Sequence, residues 1–201
     1  MPINILLKTH SPFWTDLSFY FMEGKPIDLN HCSDTKFDNI ILSISSKIFI
    51  DYCAGNSDKL VSLLKDSTKG ILLKENKGGS RYFPYANQSW EEAPAFLINT
   101  VHSVGVGDVF NAVFITSDEK INISLKLASY TASWYVSTLH HDSFISNVQL
   151  LTQLKEQIII KLTGFRIGWE ERRNYHIYIA GADFSHINTK LIEDVYDSLL
   201  P

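Results

Sequence analysis

The spacing of apolar positions changes along this chain, from short continuous runs in the first half to helical intervals in the second. Ile40 to Ile44 and Lys47 to Tyr52 are rich in β-branched and aromatic residues, and both are expected as buried strands. Ser57 and Asp58 can cap a short helix whose apolar side is Leu60, Val61, Leu63 and Leu64, with Gly70 as its end. Ile71 to Leu73 then gives another strand. Gly78-Gly79 reads as a hairpin turn into a strand from Ser80 to Phe83, stopped by Pro84. The first 38 residues follow no period: Phe13, Trp14, Phe19, Tyr20 and Phe21 lie scattered among polar positions.

The second half reads as helices. Gly107 to Thr116 opens on a glycine-rich turn. Asn122 to Leu139 carries a stripe of Ile123, Leu127, Tyr130, Trp134 and Thr138 at intervals of three and four. Asn147 to Leu162 follows, with Val148, Leu151, Leu154 and Ile158 on one side. Thr163 to Asn174 has two glycines and five charged residues and reads as a linker. Beyond it His176 to Ala180 is a strand and a helix starts near Asn188. Strands alternating with helices imply an α/β fold with a mainly parallel sheet flanked by helices.

Composition narrows the function classes. At 201 residues, 45% hydrophobic and 20% charged, the chain is globular and long enough to bury a core without metal or disulfide staples. Lys plus Arg is 18 against Asp plus Glu 22, a net charge of −4 with no basic run, which argues against general nucleic-acid binding. Cys32 and Cys53 stand apart in unrelated contexts, so neither a disulfide framework nor a cysteine-rich zinc site is expected. The N-terminus lacks the features of a signal peptide, and the apolar stretch 39–50 is too short and polar to span a bilayer. A cytoplasmic protein without a membrane partner is the expectation.

The segment that carries chemistry runs from Val101 to Ala112. Gly105 and Gly107 let backbone approach a ligand closely at a helix start, where unpaired amides and the helix dipole favour an anion. Asp108 falls in the first turn. A carboxylate beside a phosphate cradle is what a kinase uses to accept a hydroxyl proton during phosphoryl transfer. A helix start capped by a glycine turn is the plainer reading of the same residues.

Gly105, Gly107, Asp108 and Phe110 resemble the late signature of the ribokinase-like (PfkB) carbohydrate kinases, an Asp-Thr-x-Gly-Ala-Gly-Asp-x-Phe run, with Val106 for its alanine and Ser103 for its threonine. Leu125 to Ala132 resembles the family's alanine-rich helix beside the adenine. The Leu72-Leu73 strand and the Gly78-Gly79-Ser80 turn match its nucleotide-side strand and turn. The resemblance covers roughly residues 70 to 160. It implies a ribokinase-like, Rossmann-like fold that uses ATP and Mg²⁺ to phosphorylate a hydroxyl of a sugar or nucleoside. Asp108 would be the catalytic base, and Gly105, Val106 and Gly107 the anion hole. His102 stands where the family has an aspartate that helps hold a monovalent cation, and Lys74-Glu75-Asn76 where it usually has Thr-x-Gly. Neither an Asn-x-x-Glu motif nor a glycine-rich sugar-binding region precedes them. These departures imply the other outcome, a catalytically silent kinase-like module that binds a nucleotide or partner.

Ile177 to Phe184 resembles the first strand and loop of nucleoside 2-deoxyribosyltransferases, with Ile179 and Ala182 for that family's leucine and proline. The implied organisation is a partial or degenerate kinase-like domain at 1–162, a linker at 163–174 and the start of a deoxyribosyltransferase-like domain at 175–201, whose nucleophilic glutamate would lie beyond Pro201. The silent module would then support that second domain. Asp183 could contact a sugar hydroxyl or cap the last helix. His140-His141-Asp142 reads as a solvated helix end rather than metal ligands, and no metal-ligating residue is assigned. The four tryptophans read as core or interface. Besides a small sugar or nucleoside substrate, a second copy of the chain in a homodimer is the partner allowed.

Overall fold

Ile40-Ile41-Leu42 and Ile71-Leu72-Leu73 are apolar without interruption because their strands lie side by side and are covered on both faces. The computed structural model describes residues 14–18, 37–96, 98–152, 159, 161, 163, 164, 166–172 and 174. Within them β1 (Trp14–Asp16), β2 (Phe37–Ser43), β3 (Thr68–Lys74), β4 (Ser80–Pro84) and β5 (Glu91–Ala93) form one sheet in sequential order. β1, β2 and β3 pair in parallel, while β4 is antiparallel to both β3 and β5. Only β4 therefore runs against the other four strands. The sheet is mainly parallel and flanked by helices, as expected.

The period of two along the strands sorts residues between two cores. Ile40, Leu42, Ile71, Leu73 and Phe83 face α1 (Ser57–Leu64) and bury its Leu60 and Leu64. Ile41, Leu72 and Tyr82 face α2 (Val106–Thr116) and α3 (Ile121–Val136), meeting Phe110, Phe114, Leu125, Ala128 and Ala132. Each such Leu, Ile or Phe contributes about 1.5–3 kcal/mol on burial. The helix contact on the second face is made by Leu125, Ala128 and Ala132, not by the expected stripe. Leu127, Tyr130 and Trp134 are only partly buried, because small side chains let α3 lie close to the sheet.

Three more sequence expectations are corrected. Lys47 to Tyr52 is not a strand: Ile48–Tyr52 is a π-helical turn, in which Cys53 N–H donates to Ile48 O at 3.2 Å. The Ser46 hydroxyl accepts from Phe49 N–H and its carbonyl from Ile50 N–H, so serine caps the turn. This sends Ile48, Phe49 and Cys53 inward and leaves Ile50 and Tyr52 exposed. Asn56, rather than Ser57 or Asp58, caps α1 by accepting from Lys59 N–H at 2.9 Å. Gly70 does not end that helix but lies within β3, where an added Cβ would overlap the Tyr82 hydroxyl. That hydroxyl donates to Asn39 Oδ1 at 2.6 Å. The Gly78-Gly79 hairpin forms as expected, with Glu75 N–H donating to Gly79 O and Lys74 opposite Ser80.

α4 (His141–Thr152) starts six residues before the expected Asn147, and His140, His141 and Asp142 are exposed at its start. Its expected continuation through 153–158 lies outside the described residues, as do the aromatics at 13 and 19–21, the strand at 176–180 and the helix near 188. No described helix is long and apolar enough to cross a membrane.

The described residues of the expected linker dock against the sheet. α5 (Trp169–Arg172) places its Trp169 ring edge-on to Phe49, and the indole N–H donates to Gly55 O at 2.7 Å. Glu75, fully buried, accepts from Trp169 N–H at 3.1 Å and pairs with Arg81, while Arg172 donates to its carbonyl at 2.8 Å. Arg81 also reaches Glu170 at 3.1 Å and lies over the Trp90 ring. Arg166 pairs with Glu92 at 2.8 Å and approaches Glu75 at 3.7 Å. Burial pushes the Glu75 carboxyl up, and the charges of Arg81 and Arg166 oppose that shift.

The packing at Gly70 gives a direct test. Gly70→Ala should destabilise the fold by about 1–3 kcal/mol through overpacking, with the Tyr82–Asn39 bond broken as well. Denaturant unfolding at neutral pH measures it, and Tyr82→Phe in the same background should then cost little more, because the bond it removes is already gone.

Candidate anion site at the carboxyl edge of the sheet

The Gly105 turn is built by its own backbone. Gly105 has φ +78° and ψ 0°, the left-handed region that glycine enters freely, and Val106 N–H donates to Ser103 O at 3.4 Å. An added Cβ at Gly105 would come within 3.0 Å of the Tyr135 hydroxyl, so α3 closes this side. Asp108 and Val109 amides both donate back to Gly105 O, at 3.1 and 3.0 Å. Among the described residues, the Gly105 and Gly107 amides are the two at this helix start without an acceptor. Of the three residues expected to form an anion hole, Val106 already uses its amide within the turn.

Asp108 lies in the first turn of α2 with its side chain exposed, and no described residue pairs with its carboxylate. His102 does not face the turn with a free ring. Its Nε2 lies 2.9 Å from Tyr135 O and 3.1 Å from Thr138 O, so as an N–H donor it caps carbonyls at the end of α3. Its ring stacks edge-on to Tyr135.

Two residues that the sequence reading left unassigned join the site, Asp16 and Asn111. Lys74 at the end of β3 directs its ammonium to Asp16 Oδ2 at 3.0 Å, and Asn111 Nδ2 of α2 donates to the same oxygen at 2.8 Å. Asp16 Oδ1 accepts from Ser18 N–H at 2.8 Å. A Cβ added at Gly107 would meet the Lys74 ammonium at 3.5 Å, so a cation stands beside Gly107. Asp16 and Lys74 both lie at carboxyl ends of parallel strands, the edge at which open α/β sheets receive ligands. Alternation along the strands offers one signal: Asp16 and Lys74 fall in step with Trp14 and Leu72 on the α2 face.

Phosphate fits these residues. Two amides without an acceptor among the described residues, a helix start and an ammonium lie at this edge of the sheet. Among the described residues no three His, Cys, Asp or Glu side chains gather as a metal cage.

No family model matches the sequence, and no curated protein does. Solved structures do match. A ribokinase from Arabidopsis thaliana complexed with ribose and ATP aligns with TM-score 0.55 and 17% identity, covering 72% of this chain and 48% of that one. A Thermotoga maritima ribokinase aligns with TM-score 0.55 at 14% identity, over 73% of this chain and 50% of that one. Fructokinase with bound ATP from Xylella fastidiosa gives 0.53 and 16%, over 70% and 51%. The fold is ribokinase-like. The chain spans about half the length of these structures. The likeness read into Ile177–Phe184 lies outside the described residues, and nothing in these matches supports a deoxyribosyltransferase part.

The Asp16 carboxyl carries a pH signature. Burial pushes it up, but hydrogen bonds from Ser18 and the charge of Lys74 outweigh that, and the net direction is below its ordinary 3.8. A depressed carboxyl stabilises the fold fully above its unfolded value and loses that contribution as pH falls through the lower folded value. Asp16→Asn should therefore be less stable than wild type at neutral pH, and the gap should close below about pH 4. Urea midpoints across pH 3 to 7 measure it.

Proposed function

We propose that this chain carries the phosphate-binding and proton-accepting part of a ribokinase-like phosphotransferase acting on a sugar or nucleoside hydroxyl. The observation that carries this reading is the conjunction at one edge of the sheet of two free glycine amides, an ammonium and an exposed Asp108. The matched sugar kinases solved with ATP supply the substrate class by likeness of fold.

The chemistry follows from the residues. The Gly105 and Gly107 amides would donate to the phosphate and offset charge as it moves during transfer. Asp108 would accept the proton of the attacking hydroxyl, its exposed carboxylate being free to meet substrate. The loose transition state of phosphoryl transfer needs positioning and charge more than covalent help, which this arrangement can give. Mg²⁺ supplies further charge neutralisation when bound, held by ATP oxygens and water. We further place the kinase-like unit at 1–162, with 166–172 as a strap docked onto it through Glu75.

The test is Asp108→Asn, which keeps shape and removes the base. Release of ADP with a panel of sugars and nucleosides should fall at least ~100-fold. Affinity for an ATP analogue should change far less, since the amides and Lys74 remain. Turnover unaffected by the substitution rules out Asp108 as the base. Nucleotide binding without turnover in the wild-type chain would instead identify the silent module.

A further inference from the structure

We propose that Lys74 is the residue that holds the phosphate's charge at the Gly105–Gly107 turn, with Asp16 and Asn111 as its positioning residues. The proposal rests on the kinase reading and adds a residue to it.

The physical case starts from the side chain. A lysine is a flexible stem whose ammonium loses rotamer entropy when it is fixed. Here that loss is met by the fold. Its side chain is only 15% exposed, and Asp16 Oδ2 holds its ammonium at 3.0 Å. Asp16 is fixed in turn from two sides, by Ser18 N–H at 2.8 Å and by Asn111 Nδ2 at 2.8 Å. Strand β1, helix α2 and strand β3 thus converge on one carboxylate, and the carboxylate aims one cation.

An ammonium has three donors, and one engages Asp16. No other described residue takes the remaining two. A Cβ added at Gly107 would lie 3.5 Å from the ammonium, so Gly107 is its neighbour. The Gly107 amide has no acceptor among the described residues. Lys74 can therefore keep Asp16 and still donate to a phosphate oxygen.

Asp16 pairs with Lys74 in the free protein and holds its ammonium in place. A phosphate entering beside it meets a charge-assisted donor already in position, the stronger class of hydrogen bond. Asn111 contributes at a distance, through Asp16, and its own Oδ1 is buried with no partner among the described residues.

Calorimetry on the full chain tests the assignment, with a non-hydrolysable ATP analogue plus Mg²⁺ and with adenosine as a probe lacking phosphate. Lys74→Met should weaken analogue binding at least ~10-fold, the scale of one charged hydrogen bond, and leave adenosine binding unchanged. The salt dependence of analogue affinity should become shallower with the cation gone. Lys74→Gln keeps a donor for Asp16, and with it the tie between strands, and should show the same loss if the methionine variant fails to fold. Lys74→Arg should retain most of the binding. If the wild-type chain binds the analogue and both neutral variants bind it equally well, with unchanged salt dependence, the Lys74 assignment falls and the kinase reading stands. If the wild-type chain binds neither probe, the kinase reading falls and takes this proposal with it.

Discussion

At the carboxyl end of β3, two consecutive charged residues leave the sheet on opposite sides, and the rest of the architecture is arranged around that division. Lys74 follows Leu72 onto the face covered by α2 and α3, where it meets Asp16 and Asn111. Glu75 follows Leu73 onto the α1 face, where Arg81 and Trp169 receive it. The alternation of a strand is what makes neighbours in sequence strangers in space. A one-residue slip of β3 would exchange the two charges between faces, together with every apolar residue before them.

The two charges are stabilised in different ways. Glu75 is fully buried, and a lone carboxylate there would cost more than the fold could tolerate. Its neighbours make it acceptable: Arg81, Arg166, the Trp169 amide and, on its carbonyl, Arg172. Such a cluster adds little net stability over an apolar replacement, but losing one member leaves a buried charge unmatched. It therefore fixes where 166–172 docks more than how strongly the chain folds. Lys74 keeps part of its side chain in contact with solvent and has one charged partner. The first arrangement closes a strap, and the second leaves donors for something else.

Much of the fold is legible in the sequence, and the failures have identifiable causes. The runs at Ile40 and Ile71, the Gly78-Gly79 hairpin and the glycine turn before α2 are local signals, and each forms where it is expected. Lys47 to Tyr52 misleads because β-branched and aromatic residues suit a strand and a tightly capped turn alike, and Ser46 decides between them. The buried face of α3 misleads because bulk suggests Tyr130 and Trp134, whereas close packing on the sheet selects Ala128 and Ala132. Within the site, Gly105, Gly107 and Asp108 belong to one short motif and can be read directly. Asp16 comes 58 residues before Lys74 and 95 before Asn111, so only the assembled sheet brings the three together.

The constraints around the proposed anion site close on themselves. Leu72 of β3 packs in one core with Leu125, Ala128 and Ala132, which positions α3. At the end of α3, Tyr135 limits the space above Gly105, and its carbonyl meets the His102 ring. The turn so fixed starts α2, whose Gly107 faces Lys74 and whose Asn111 reaches Asp16. Lys74 returns the path to β3, two residues beyond Leu72. The Gly105 turn and the Lys74 ammonium are thus referred to the same strand and the same core. Donors held by the fold would need little reorganisation if an anion entered, the condition under which fixed dipoles and charges act most strongly. The packing of small residues on α3 is in this sense part of the site's chemistry, although none of them touches the space itself.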